Sequence, residues 1–485
     1  MLMLDRARFA TAVGMLVICT QSLSFTNATE PVWVKNRGLG CRSCFRPLRT
    51  LCVLRPFRNS RPTCPEPADA ASKPTTRRSF RFDPDDRLIF VPVRIGAKEY
   101  QFIMDTGSSM TIFDTSLRPY LGEQLDTREL RDPFGQNVAI GMYDSPDAWI
   151  GSLPMKKHNV ACFDLTKLRE AAGRDFRGIL GMDFLKDWVI TIDFDSGRVD
   201  FLPAGTVKQP AWGESIPLHY TDPGTPRINA TLGKDIDTSF VIDTGCAGTG
   251  GIEEAFLMLL FDWHEARMTG DQKAMTASGI HSSNVARLAH LTVGSFRHDN
   301  LRFSGGPGAC LGVGYLSRYR VTIDFPNHQL YLVKGKQYAY RDRGSMSGVW
   351  LVFKTHDIEV GDVNEKGPAY AAGVRTKDIL VELCGKPVSA LKPSDIYRVL
   401  EAEGKPLKIA VERGGKRIDM CFTPYEYEEQ PRPNETSVKP DCAGMESQAG
   451  VPAVSRGPCR RFRTRRFTFG RLRCVEEVSG SGRGQ

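Results

Sequence analysis

Residues 101–114 read QFIMDTGSSMTIFD: an apolar run, an ionisable side chain at Asp105, then Thr106, Gly107 and Ser108 before the chain turns apolar again. Asp and Gly are common turn residues, so the triplet alone fits the end of a strand as well as a group held for chemistry. A second stretch changes its weight. Residues 238–250, TSFVIDTGCAGTG, repeat the arrangement with Asp243, Thr244, Gly245 and Cys246.

Both triplets are delivered in the same way. VPVRIGAKEYQFIMDTG (91–107) and PRINATLGKDIDTSFVIDTG (226–245) each read as an alternating strand, a Gly-containing turn and a second strand. Downstream, GILGMDFLKDWVITIDFDSGRVDFL (178–202) and ACLGVGYLSRYRVTIDFPNHQLYL (309–332) share an apolar-apolar-Gly step, a turn, a strand ending in Thr-Ile-Asp-Phe and a final apolar strand. A repeat of this length and order predicts two copies of one supersecondary unit. The linking segments differ: DLTKLREAAG (164–173) predicts a short helix, and IEEAFLMLLFDWHEARM (252–268) a longer amphipathic one.

Two mostly β half-domains packed about a pseudo-two-fold axis would bring Asp105 and Asp243 face to face. Like charges about 3 Å apart cannot both stay ionised cheaply, so such a pair shares one proton over much of the acidic and neutral range. The ionised member can take a proton from a water between the carboxylates while the other donates to a scissile carbonyl, with no metal or other cofactor required. Gly107 and Gly245 let the backbone pass close enough for N–H groups to donate to the carboxylates. Thr106 and Thr244 can hydrogen-bond across the axis and fix the separation of the loops.

These residues resemble an aspartic protease of the pepsin and retropepsin kind. The resemblance rests on the two Asp-Thr-Gly triplets and their later partners, Ile179-Leu180-Gly181 and Cys310-Leu311-Gly312, and covers roughly residues 86–335. It implies a bilobal, β-barrel-like acid-protease fold, with one lobe over 86–207 and the other over 208–335. It also implies an endopeptidase acting on protein or peptide substrates, with the catalytic pair assembled inside one monomer. Pepsin-like enzymes carry Ser or Thr after each Gly, bonded to the outer carboxylate oxygen; Ser108 fits, whereas Cys246 offers only a weak S–H donor. The turn after the second brace, Gly312-Val313-Gly314-Tyr315, departs from Gly181-Met182-Asp183-Phe184 in what reads as an exposed turn. A glycine-containing flap is implied as well, over FGQNVAIGMYD (134–144) with Gly141 and Tyr143 near substrate, and over TASGIHSSN (276–284) in the second half. The rival from another class is a catalytically silent peptide-binding or envelope scaffold that keeps the fold.

Residues 345–425 form a separate α+β pattern of strands, Gly-Pro turn and helix, and resemble a PDZ domain of the type attached to exported bacterial proteases. The resemblance implies a peptide ligand added as a strand beside an exposed edge. Gly348, Val349, Trp350 and Leu351 would form the peptide-binding loop in place of the usual Gly-Leu-Gly-Phe.

The rest of the chain sets bounds. Its 485 residues allow two to four domains, and 41% hydrophobic with 25% charged residues is ordinary for globular protein. Residues 1–28 read as a signal peptide, two arginines followed by an apolar segment and small residues near Ala28, so an exported protein of the periplasm, cell envelope or exterior is expected. Residues 29–85 are a basic, Pro- and Cys-containing linker or pro-segment. Of the 13 Cys, Cys41 and Cys44 have the spacing of half a zinc site or a redox pair; the other half of a zinc site is missing, so a local disulfide or no role is expected of them. Formal net charge is +9, concentrated at the ends. The basic tail 426–485 includes RRFRTRRFTFGRLR (460–473) and reads first as a disordered tail with no specific partner; interleaved Phe and Arg can also bind nucleic acid or an anionic surface, and in an exported protein an anionic envelope surface is the expected one of these. There is no His-Glu-x-x-His pattern and no phosphate-cradling Gly-rich loop, so no metal site is expected and nucleotide chemistry is unsupported.

Overall fold

Alternation of buried residues with more exposed ones decides the strands that pair, as hairpins, with the two that deliver the triplets. In Phe90–Ile95 it falls on Val91, Val93 and Ile95, and in Thr225–Leu232 on Ile228, Ala230 and Leu232. The structure, a computed structural model, describes residues 15–16, 77–131, 136–221, 224–276, 278–306, 308–342 and 346–425. Apart from residues 15–16 the expected signal segment lies outside the described residues, as do Cys41 and Cys44, the linker before residue 77 and the basic tail.

The chain is mostly β-sheet. Nine strands form one sheet in the order 124–131, 137–144, 159–163, 112–114, 178–180, 98–104, 90–95, 148–150 and 153–154. A second sheet has eleven strands, nine of which run 266–276, 279–288, 302–306, 250–253, 310–311, 236–242, 225–232, 290–293 and 296–299. Numbered along the chain, the two sets of nine have the same spatial order. In each, the short strand before a Leu-Gly step runs parallel beside the strand that ends at an Asp: Gly178–Leu180 beside Lys98–Met104, and Cys310–Leu311 beside Ile236–Ile242. The remaining two strands of the second sheet are His219–Thr221 and Met15–Leu16.

A third sheet joins the halves, in the order 214–217, 329–334, 319–324, 188–193, 198–203 and 78–81. At its centre Trp188–Asp193 lies antiparallel to Tyr319–Asp324 with Thr191 opposite Thr322. Their hydroxyls are 3.0 Å apart, so the threonines of the two Thr-Ile-Asp-Phe copies meet each other. Strand Arg78–Arg81 pairs with Arg198–Phe201, which places the start of the first folded unit before residue 86. Arg-Ser-Phe-Arg has a single apolar residue and so shows no alternation in sequence.

Two helices position the sheets. Thr166–Ala172 ends at Gly173, whose φ of 65° is the left-handed cap that favours glycine. The helix expected over 252–268 is shorter, Glu254–Asp262. His264 takes a φ of 59°, which stops it, and Ala266–Thr276 instead pairs along Gly279–Leu288.

The C-terminal module has its own sheet in the order 349–353, 358–363, 379–383, 407–413 and 416–422, and its own core around Leu351, Val360, Leu380, Ile396 and Val411. Helix Pro393–Leu400 begins with Pro at its first turn, carries Asp395 there and Arg398 at its end, each favourable to the helix dipole. Among the described residues no helix is long and apolar enough to cross a membrane.

Candidate active site

The two strands Lys98–Met104 and Ile236–Ile242 end at Asp105 and Asp243 in matched surroundings. Asp105 N–H donates to the Leu180 carbonyl at 3.0 Å, and Asp243 N–H to the Leu311 carbonyl at 3.0 Å. Each carboxylate then accepts from its own loop: Asp105 Oδ1 from the N–H groups of Gly107 (2.8 Å) and Ser108 (3.1 Å), Asp243 Oδ1 from those of Gly245 (2.9 Å) and Cys246 (3.1 Å). Such N–H donors favour the charged form of the oxygen they face.

The loops are locked together by an exchange between threonines. Thr106 N–H donates to Thr244 Oγ1 at 3.1 Å, and Thr244 N–H to Thr106 Oγ1 at 3.1 Å. Each hydroxyl in turn donates across to the opposite strand end, Thr106 to the Ile242 carbonyl and Thr244 to the Met104 carbonyl, both at 2.6 Å. All four polar groups are thereby satisfied in a wholly buried place, where an unmade bond is expensive. Glycine is required beside them. A β-carbon at Gly107 would lie 2.6 Å from Cγ of Asp243, and one at Gly245 would overlap the carboxylate of Asp105, so each loop's glycine abuts the other loop's acid.

The later apolar-apolar-Gly steps brace these loops through backbone. Met182 N–H donates to the Ser108 carbonyl and Val313 N–H to the Cys246 carbonyl, both at 2.8 Å. A β-carbon at Gly181 would overlap the Met110 backbone, and one at Gly312 the backbone of Cys246 and Gly248. A second brace was not read from the sequence. Thr111, six residues after Asp105, gives both its N–H and its hydroxyl to Asp183 at 2.7 Å. His158 Nε2 sits 2.9 Å from the same carboxylate. Burial works against the imidazolium, but the Asp183 hydrogen bond and charge and the Lys156 carbonyl outweigh it, and the His158 pKa stands above its ordinary value. Asp183 is therefore a half-buried support rather than part of an exposed turn.

In the second half the corresponding Thr249 finds a different acid. Its hydroxyl donates to Asp342 Oδ2 at 2.9 Å, and Asp342 also pairs with the buried guanidinium of Arg318. Gly314 replaces Asp183 because backbone fills the space: a β-carbon there would be 2.7 Å from the Thr249 nitrogen. Threonine six residues after both acids was the signal in the sequence; the partner of Thr249, 93 residues away, had none.

The other expected residues are distributed as follows. The Ser108 hydroxyl donates to the Met110 carbonyl at 2.7 Å, so it is its backbone N–H that serves Asp105. Gly141 and Tyr143 lie on strand Asn137–Asp144, and Tyr143 joins the main core, its hydroxyl 2.9 Å from Gln124 and the Arg118 guanidinium 4.2 Å over its ring. The alternate residues Ile140 and Met142 face a separate apolar cluster that includes Met110, Ala247, Met275 and Trp350. That cluster gathers residues just after both Asp loops, the hairpin of the second sheet and the C-terminal module. Gly348 precedes strand Val349–Phe353; Val349, Trp350 and Leu351 are all buried, and helix Thr166–Ala172 packs beside this strand. Asp105 and Asp243 expose no surface. Among the described residues no cluster of three or more His, Cys, Asp or Glu could hold a metal ion.

Residues 91–184 match the aspartyl protease family model. The matched segment runs from the hairpin that delivers Asp105 to the Gly181 brace, and its half-barrel sheet is consistent with an acid-protease-like fold. Asp243 and Cys310 lie beyond the matched residues. Comparison with curated proteins found no match to the chain.

Proposed function

We propose that the chain is an aspartic-type endopeptidase that hydrolyses peptide bonds with a water activated between Asp105 and Asp243. The observation that carries it is the reciprocal exchange at Thr106 and Thr244, with each loop's glycine against the other loop's carboxylate. The common strand order of the two large sheets supports two lobes related by a pseudo-two-fold axis.

Two carboxylates in this relation share one proton. The ionised member takes a proton from the water, whose oxygen attacks the scissile carbonyl; the protonated member gives its proton to the carbonyl oxygen. The tetrahedral intermediate collapses as the proton just gained by the first carboxylate passes to the leaving nitrogen, and the hydroxyl proton returns to the pair. One proton again remains on the dyad. Activity falls at high pH, where the pair loses that proton.

Asp105→Asn and Asp243→Asn keep the shape and remove the shared proton. Each should lower cleavage of a broad peptide library at least about 100-fold while leaving the thermal unfolding transition in place. Cleavage that survives in both variants would sink the mechanism. A second reading, a silent scaffold, is favoured by the complete burial of both carboxylates. It gains ground if folded wild type cleaves nothing between acidic and neutral pH, with or without residues 29–85.

The sheet order of residues 349–422, with helix Pro393–Leu400, supports a PDZ-like module. Helix Thr166–Ala172 packs beside strand Val349–Phe353, so a peptide added to this strand would compete with the helix for space. Export through residues 1–28 and contact of the basic tail with an anionic envelope surface belong to the same proposal; fractionation of tagged full-length chain tests both.

A further inference from the structure

The two halves differ at two positions next to the candidate dyad, and the two positions touch. Ser108 follows the first Asp-Thr-Gly and Ile179 sits one residue before the carbonyl that accepts from Asp105; in the second half the same places hold Cys246 and Cys310. Serine and isoleucine have no covalent chemistry with each other. Two cysteines do. Both are buried, both are present as thiols, they pack together with Val241, and their side chains hydrogen-bond to each other.

The backbone holds them in place from both sides. Cys310 is paired with Val241 on one flank and Gly251 on the other, and the Cys246 carbonyl accepts from Val313 N–H at 2.8 Å. The Cys246 sulfur is pressed against the second brace, 2.8 Å from where a β-carbon of Gly312 would be. Cys246 also supplies one of the two N–H donors to Asp243. A covalent bond at this pair would thus tie the loop of Asp243 to its brace, and nothing equivalent can form in the first half.

We propose that Cys246 and Cys310 are a redox site, closing to a disulfide that locks the second Asp-Thr-Gly loop. The oxidant is a small-molecule or protein disulfide. One cysteine, as thiolate, attacks a sulfur of that disulfide and releases one thiolate; the second cysteine attacks the mixed disulfide and releases the other. Two thiols and one disulfide become one protein disulfide and two thiols, so atoms and electrons balance. The Cys310 hydrogen bond and burial push the Cys246 thiol well above its ordinary pKa, so the thiolate forms when the loop opens or before folding is complete.

The full-length protein is equilibrated in glutathione buffers from reducing to oxidising, and also unfolded and refolded in them, then acid-quenched, alkylated and mapped without reduction. The expected result is a linked peptide pair bearing residues 246 and 310, two hydrogens lighter than the separate peptides, together with an upward Tm shift on the order of 5 °C between reduced and oxidised protein. Cys310→Ile and Cys246→Ser, which install the residues of the first half, should lose the link, and that part of the shift with it. Recovery of both residues as alkylated thiols in the most oxidising buffer, after refolding as well as in the native state, overturns the proposal; so does linkage of either residue to a different cysteine in folded protein. Mapping of wild type decides the matter even if a variant fails to fold, and neither readout depends on peptidase activity.

Discussion

Thr106 and Thr244 set the site with two hydroxyls, each accepting one bond and donating another across the junction. Thr106→Val or Thr244→Val keeps the volume and strands a buried N–H and a buried carbonyl, so each should cost about 2–4 kcal/mol in urea unfolding. Asp342 makes a sharper test. Removing its side chain leaves Arg318 buried without a counter-charge, and Asp342→Ala should destabilise by about 3–5 kcal/mol while Asp183→Ala, beside a more exposed cation, costs less. His158 yields a pH signature. Its pKa is raised on folding, so its contribution is fully present below the ordinary value of about 6.5 and is lost as pH rises through the folded value. An imidazole titration by NMR should place it above the ordinary value of about 6.5, and His158→Gln should flatten the stability profile in that window. The acids, threonines and glycines of both loops were legible because their chemistry is local and occurs twice. Asp342 was not, because nothing near Thr249 announces an acid that arrives from the end of the second unit.

Strands were read where one face is buried and the other is not, and were missed where that contrast fails. Arg78–Arg81 has no apolar alternation, and the 252–268 segment keeps helical spacing through residues that pair as a strand once His264 turns the chain. Period-two geometry also corrects the flap. On Asn137–Asp144 the residues at 140 and 142 face the cluster near Met110 and Ala247, while Tyr143 faces the core. Tyr143→Phe should therefore lower stability by about 1 kcal/mol, the value of one hydrogen bond to Gln124, and leave KM for a peptide substrate unchanged. Met142→Ala should change KM. A kinetic series in which Tyr143 moves KM and Met142 does not would place the wrong face toward substrate.

Across the molecule, the C-terminal module is held to residues 77–342 by the half-buried pair of Lys273 with Asp362, by exposed ion pairs and by apolar packing, and the last two differ in weight. Arg87 with Glu401, Lys392 with Asp83 and Arg398 with Asp85 are exposed pairs, each worth about 0–1 kcal/mol and weakened by salt. Trp350 is buried among Ala247, Met275 and Met142, and Trp350→Ala should cost about 3–5 kcal/mol. Thermal unfolding at low and high salt separates them: salt should shift the transition little in wild type, and the tryptophan variant should unfold earlier at both. The central sheet has a consequence for how the protein is made. Strand Trp188–Asp193 leaves the ribosome well before Tyr319–Asp324, its only neighbour on that edge, has been synthesised. Until then Ile190 and Ile192 flank a row of unsatisfied backbone groups, a template for another nascent chain. A fragment ending at residue 207 should accordingly associate with itself in sedimentation, and pausing translation between residues 207 and 319 should raise the aggregated fraction, because the first half waits for its partner from its own chain.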